Sequence, residues 1–371
     1  MPLSGDPFIY SLYFHIPFCT KKCDYCHFYV IPDQPRFKNI YMRALFQEWE
    51  LRKPCLPPDK PISIYFGGGT PALLGPGAIH RILSWIEPLP HCEITLEANP
   101  ENVSLALMQE YFQCGINRIS LGVQTFDDGL LNTLSRTHVA SKSQQAIEET
   151  AQAGFQNISI DLMYDLPGQT LHMWEQTIAQ ALSLPITHLS LYNLTIEPHT
   201  VFFKKKHSLT LPEAETSLAM LLSALDAFEK KGLHRYEISA FAKQGMYSRH
   251  NTGYWTGRPF LGFGPSAFSY WNGTRFRNVA HLNRYAKALE QKIDPLDFSE
   301  TLPPKDQLKE LLAIGLRLIE GIPLPQLPQE IESGLRDLES QELLVKSANK
   351  LRLTEKGLLF HDSVAEIIMN L

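Results

Sequence analysis

The chain has 371 residues, 44% of them apolar and 20% charged, a balance that excludes a disordered or fibrous protein and allows one large domain plus a smaller appendage. Thirty-four Lys and Arg against 39 Asp and Glu leave a formal charge of −5, so no overall basic field is available to hold nucleic acid. No apolar run approaches the roughly 20 residues of a membrane span, and Asp6 with no Lys or Arg before it is unlike a targeting leader, so a cytoplasmic protein without a membrane span is expected.

From residue 8 to about 195, short β-type runs alternate with helical patterns. Strands are expected at Ile9–Ile16, Ile62–Phe66, Glu93–Ala98, Arg118–Val123, Asn157–Met163 and His188–Leu194. Helices are expected at Phe37–Arg52, Gly77–Ile86, Ser104–Phe112, Ser141–Ala153 and Thr170–Leu184, with Ser104 and Ser141 as N-caps and Gly115 and Gly154 as C-caps. This is the α/β pattern of repeated βαβ units around a parallel sheet, with chemistry expected at the carboxyl ends of the strands. The core is assigned to residues 1–235. A helix at Pro212–Lys231 precedes a segment, 236–300, dense in aromatics and glycines. Residues 301–371 read as helices, two short strands and a final helix from Thr354, a winged-helix-like order. That module carries eight Lys/Arg against eleven Asp/Glu, so packing or protein interaction is expected of it rather than DNA reading.

Three of the six cysteines crowd into Cys19-Thr20-Lys21-Lys22-Cys23-Asp24-Tyr25-Cys26, directly after the first strand. Thiolates select zinc or iron-sulfur clusters. A structural zinc needs a fourth ligand, for which His15 or His27 is nearest, but the spacing is not that of a zinc ribbon. A 4Fe-4S cubane held by three cysteines fits better and leaves one iron open to an outside ligand. Gly67-Gly68-Gly69-Thr70-Pro71 closes the second strand, where absent side chains let a ligand approach. Glu97, Gln124 and Asp161 are polar residues in apolar strands. Glu97 could serve a ribose hydroxyl or sit in a buried pair with Arg118. Arg136 could be a solvated helix-end cation or a clamp for a carboxylate.

The CxxxCxxC spacing after the first strand resembles the radical S-adenosylmethionine (SAM) superfamily. The strings HIPFC, YFGGGTP, LEANPE, INRISLGVQTF, LSRTH and DLMYDLPGQT narrow the likeness to its oxygen-independent coproporphyrinogen-III-oxidase-like branch. The resemblance implies a partial TIM barrel of six βα units and a cluster on Cys19, Cys23 and Cys26 whose open iron takes SAM. It also implies SAM contacts from Tyr13, Gly68, Gly69, Thr70, Glu97, Gln124, Arg136 and Asp161, with Tyr25 beside the cluster. Asp165 departs from a common Gly; Asp tolerates a left-handed turn, so no change of chemistry is expected.

Oxidases of that branch resemble CxxxCxxCxC, whereas this chain reads Cys26-His27-Phe28. They also carry a longer N-terminal extension, for which the eighteen residues before Cys19 leave little room. His250-Asn251-Thr252-Gly253-Tyr254-Trp255 resembles the HNxxYW motif of the HemW-like heme-chaperone group instead. A His beside Tyr and Trp supplies an iron ligand and flat apolar surfaces, although an aromatic-rich segment is usually core. The expectation is a heme chaperone with a SAM-binding 4Fe-4S cluster, heme held at His250, a heme-acceptor protein and an electron donor as partners, and a homodimer as an open option. The alternatives are a radical SAM oxidative decarboxylase and a zinc-stabilised barrel without catalysis.

Overall fold

The computed structural model describes Ile9–Leu371 apart from Ala348; Asp6 lies outside the described residues. Six strands alternate with helices: β1 (Ser11–Ile16), α1 (Pro35–Arg52), β2 (Ser63–Gly68), α2 (Pro76–Ile86), β3 (Glu93–Ala98), α3 (Leu105–Gln113), β4 (Arg118–Gln124), α4 (Asp128–Thr133), α5 (Ala140–Gln152), β5 (Asn157–Tyr164), α6 (Leu171–Ser183) and β6 (His188–Asn193). The strands read as near-continuous apolar runs because both faces are covered; Leu12, Phe14, Ile64, Phe66, Leu96, Ile119 and Leu121 are fully buried. The helices bury one stripe each, such as Ile79, Ile82, Leu83 and Ile86 of α2.

Ser104 caps α3 by accepting from the Leu107 amide, and Gly115 and Gly154 follow their helices at φ +99° and +107°. Ser141 is not a cap. It lies inside α5, whose N-cap is Val139, and the Asp128 carboxylate accepts the Ala140 amide at 2.7 Å in its place.

Past β6 the chain continues through α7 (Val201–Lys205), α8 (Ala214–Lys230), β7 (His234–Glu237), β8 (Ala240–Ala242), α9 (Arg249–Trp255), β9 (Phe260–Phe263), β10 (Phe268–Trp271), β11 (Thr274–Asn278), α10 (Leu282–Glu290) and β12 (Leu296–Thr301). The segment 236–300 is therefore woven into one twelve-stranded open sheet, of order β12-β11-β10-β9-β1-β2-β3-β4-β5-β6-β8-β7. Seven strands from β9 to β6 are parallel, one more than the alternating pattern suggests, because Phe260–Phe263 pairs along β1. The remaining strands add antiparallel at either end.

The last stretch, α11 (Pro304–Gly315), β13 (Ile322–Pro323), α12 (Gln329–Ser340), β14 (Leu344–Lys346), β15 (Lys350–Leu353), α13 (Glu355–Leu359) and α14 (His361–Met369), builds a second core around Leu312, Leu335, Leu351 and Val364. It has the helix, helix and hairpin order of a winged helix. No helix among the described residues is long and apolar enough to cross a membrane.

Candidate functional site

The carboxyl ends of the parallel strands surround a cavity of ≈ 400 Å³. Its lining includes Cys19, Cys23 and Cys26 from the loop after β1, Gly68 and Gly69 from the end of β2, Glu97 from β3, Gln124 from β4 and Asp161 from β5, together with Tyr25 and Arg136. The cysteine loop is braced at both ends, by Ile31 N–H on Pro17 O at 2.7 Å and Asp33 N–H on Cys19 O at 3.1 Å.

Each sulfur meets one hydrogen-bond donor. Arg136 Nη1 reaches Cys23 Sγ at 3.7 Å, and the Phe28 amide serves Cys26. Thr70 Oγ1 lies 3.6 Å from Cys19 Sγ; because it already accepts from Asn99 Nδ2 at 3.0 Å, its proton is free to face the sulfur. Asn99 accepts in turn from Arg136 Nη2 at 2.8 Å, so one polar chain links two of the cysteines. Burial pushes the free Cys19 thiol up to about 11 and raises Cys26, so a metal must displace protons to bind there. Three soft sulfurs, each met by a donor suited to thiolate, match an iron-sulfur cluster. A zinc site fits poorly: both ring nitrogens of His15 are engaged, by Tyr13 and by Tyr29 O, and among the described residues His27 does not join the cysteines in a single-ion site. Among the described residues no three His, Cys, Asp or Glu side chains converge on a single-ion site.

The glycines serve the protein's own packing as well as the cavity. A Cβ on Gly69 would lie 2.6 Å from Phe18 O and 3.1 Å from Cys19 Sγ, and one on Gly68, at φ +120°, would strike the His15 ring at 2.8 Å. Glu97 accepts from Tyr65 Oη at 2.8 Å and from Gly68 N–H at 3.1 Å rather than pairing with Arg118. Burial pushes its carboxyl up to about 7, against the Tyr65 hydrogen bond, with nearby Asp161 pushing further. Asp161 is likewise raised by burial to about 6, opposed by the Ser190 hydroxyl, Arg118 and Arg136. Gln124 sits at φ +70° at a break in the β4–β5 register. Its Oε1 and the Arg136 Nε are buried without partners. These two atoms remain to receive a ligand's polar groups.

Two expected residues are elsewhere, and a third plays another part. Tyr13 does not line the cavity; its hydroxyl bonds His15 Nδ1 at 3.1 Å and its ring stacks on Tyr65 at 6.2 Å, inside the sheet. Thr70 positions Cys19 and Asn99 from behind the wall. His250 is 1% exposed. Its Nδ1 shares a hydrogen bond with Ser63 Oγ at 3.0 Å and its Nε2 with Tyr254 Oη at 2.9 Å, while Glu93 accepts the Arg249 and His250 amides. Burial drives its imidazole down to about 3. In this geometry both ring nitrogens of His250 are engaged: the HNxxYW segment is α9, packed at the start of β2 and β3, with His250 and Gly253 buried and Tyr254 and Trp255 half-buried. Sequence reading missed Asn99 and Tyr65, although both stand inside the LEANPE and YFGGGTP strings. Asp165 adopts φ +61°, and its carboxylate accepts from Asn193 Nδ2 at 2.6 Å and Ser217 Oγ at 2.5 Å, a structural use.

Residues 13–181 match the radical SAM superfamily and residues 302–360 the HemN C-terminal domain. The chain is 36% identical over 373 residues to the heme chaperone HemW of Bacillus subtilis, covering 95% of this chain and 97% of that protein. It belongs to the HemW family of radical SAM proteins. HemW of Lactococcus lactis is 33% identical over 372 residues, covering 96% of each chain. Coproporphyrinogen III oxidase (HemN) of Escherichia coli, a radical SAM enzyme, superposes with a TM-score of 0.84 at 22% identity, over 97% of this chain and 89% of that one. HemW-family and oxidase chains thus share this fold. In this chain His27 and Phe28 line the mouth of the cavity.

Proposed function

We propose that this chain is a heme chaperone that binds heme and passes it to an acceptor hemoprotein, with a 4Fe-4S cluster on Cys19, Cys23 and Cys26 and SAM in the adjoining cavity. The observation that carries the reading is the trio of donor-matched sulfurs on the cavity wall of a chain alike to HemW over 97% of the latter's length. When bound, the reduced cluster supplies the electron that breaks the carbon-sulfur bond of SAM.

The chain's own residues prepare that site. Arg136 and Thr70 aim donors at sulfur, which favours the thiolates the cluster requires. Glu97 and Asp161 present carboxylates to ligand hydroxyls and to a sulfonium charge, Gln124 offers a free amide oxygen, and Arg136 Nε faces a carboxylate. Phe28 stands where an oxidase carries a further cysteine. An electron donor is needed for the cluster.

The test is one anaerobic preparation. Reconstituted protein is expected to contain four irons and four sulfides per chain, to bind SAM and hemin, and to release heme to an apo-acceptor. It is expected to form no protoporphyrinogen from coproporphyrinogen III, SAM and reductant. Turnover of that porphyrinogen, or failure to bind hemin saturably, would overturn the reading.

A further inference from the structure

A histidine that ligates heme iron needs an unengaged ring nitrogen, and the chain has 13 histidines. His15, His188 and His250 are buried with both ring nitrogens hydrogen-bonded. His138 is buried against Glu101, and His361 is buried with its nitrogens on Asp362 and Ala313 O. Of all thirteen, His27 alone lines the large cavity. It is exposed, and among the described residues no hydrogen bond engages its ring.

The surroundings of His27 suit an iron porphyrin. Its ring lies 4.7 Å from that of Phe28, which is 51% exposed, and Tyr192 of β6, on the same cavity, is 44% exposed. These are flat apolar faces left open to water at a cavity mouth. Lys21 and Lys22 line the same mouth and supply positive charge for two propionates. Lys22 Nζ also donates to Phe28 O at 3.0 Å, which holds the aromatic pair in place.

We propose that His27 ligates the heme iron at the mouth of the cluster cavity, with the porphyrin against Phe28 and Tyr192 and its propionates toward Lys21 and Lys22. This rests on the heme-chaperone reading and moves the cargo site from α9 to the cysteine loop. Heme would then be held on the outer edge of the pocket that takes SAM, one residue from Cys26.

Anaerobically reconstituted protein is titrated with ferric hemin and followed by its Soret band and by low-temperature electron paramagnetic resonance. Iron and sulfide content serve as the control for an intact loop. His27→Ala is expected to lose the imidazole-ligated spectrum and at least about tenfold in affinity, and added imidazole is expected to restore the spectrum to His27→Gly. Lys21→Glu is expected to weaken binding while leaving the axial-ligand signature unchanged, and His250→Ala is expected to keep the wild-type spectrum. An unchanged spectrum and affinity in His27→Ala overturns the ligand and leaves the chaperone reading standing. Absence of saturable hemin binding by the wild type overturns both.

Discussion

Arg136 is the residue with most to lose. Its guanidinium donates to Cys23 Sγ, Asn99 Oδ1 and Gly122 O, so its removal leaves two half-buried acceptors unpaired and one sulfur without a donor. Arg136→Met is expected to release cluster iron to a chelator about tenfold faster than wild type. Glu97 and Asp161 make a second, pH-dependent forecast. Their carboxyls are raised to about 7 and about 6 in the folded state, from ordinary values of 4.5 and 3.8, so the folded chain binds more protons than the unfolded chain between those limits. Without SAM, stability therefore declines as pH rises from about 4 to about 7. Glu97→Gln is expected to stabilise the ligand-free protein at pH 8 by on the order of 2 kcal/mol in urea unfolding while weakening SAM binding. Wild-type SAM affinity, measured by equilibrium dialysis, is expected to tighten from pH 6 to pH 8 as the two groups ionise.

At the scale of elements, α9 closes the underside of the sheet. His250→Ala removes hydrogen bonds to Ser63 and Tyr254 and leaves a cavity among Tyr13, Tyr65 and Tyr254. A loss of about 2–4 kcal/mol in urea unfolding is expected, with the iron-sulfur absorption intact. What sequence could tell about this region was limited by its chemistry. Strands β1 to β6 were legible because burial on both faces leaves near-continuous apolar runs such as Leu12–Phe14. Strand β9 was not: Phe260-Leu261-Gly262-Phe263 is only four residues between turns, and its partner β1 lies some 250 positions away. The cavity residues stood out as polar interruptions at strand ends. His250 reads from sequence as an iron-binding histidine because of its aromatic company, whereas in the structure its ring nitrogens are shared with Ser63 and Tyr254.

Across the whole molecule, the C-terminal module is fastened to the sheet through Arg317. Its guanidinium donates to Glu237 Oε2 at 3.2 Å and Ser239 Oγ at 3.1 Å and lies 4.4 Å from the Trp255 ring, while Ile238 N–H and Ile319 N–H bridge the backbones. Glu237 is 4% exposed, so losing its partner strands a charge. Arg317→Ala is expected to cost roughly 2–4 kcal/mol and to give a separate, earlier unfolding step for residues 302–371 in calorimetry.

The position of β1 has a consequence for biosynthesis. Although made first, it lies between β2 and β9, so one of its edges has no partner until Phe260–Phe263 leaves the ribosome. For most of translation the nascent chain carries a bare apolar edge beside three unmetallated thiols. Growth conditions that slow elongation are therefore expected to raise the fraction of chains lost to aggregation before they are metallated.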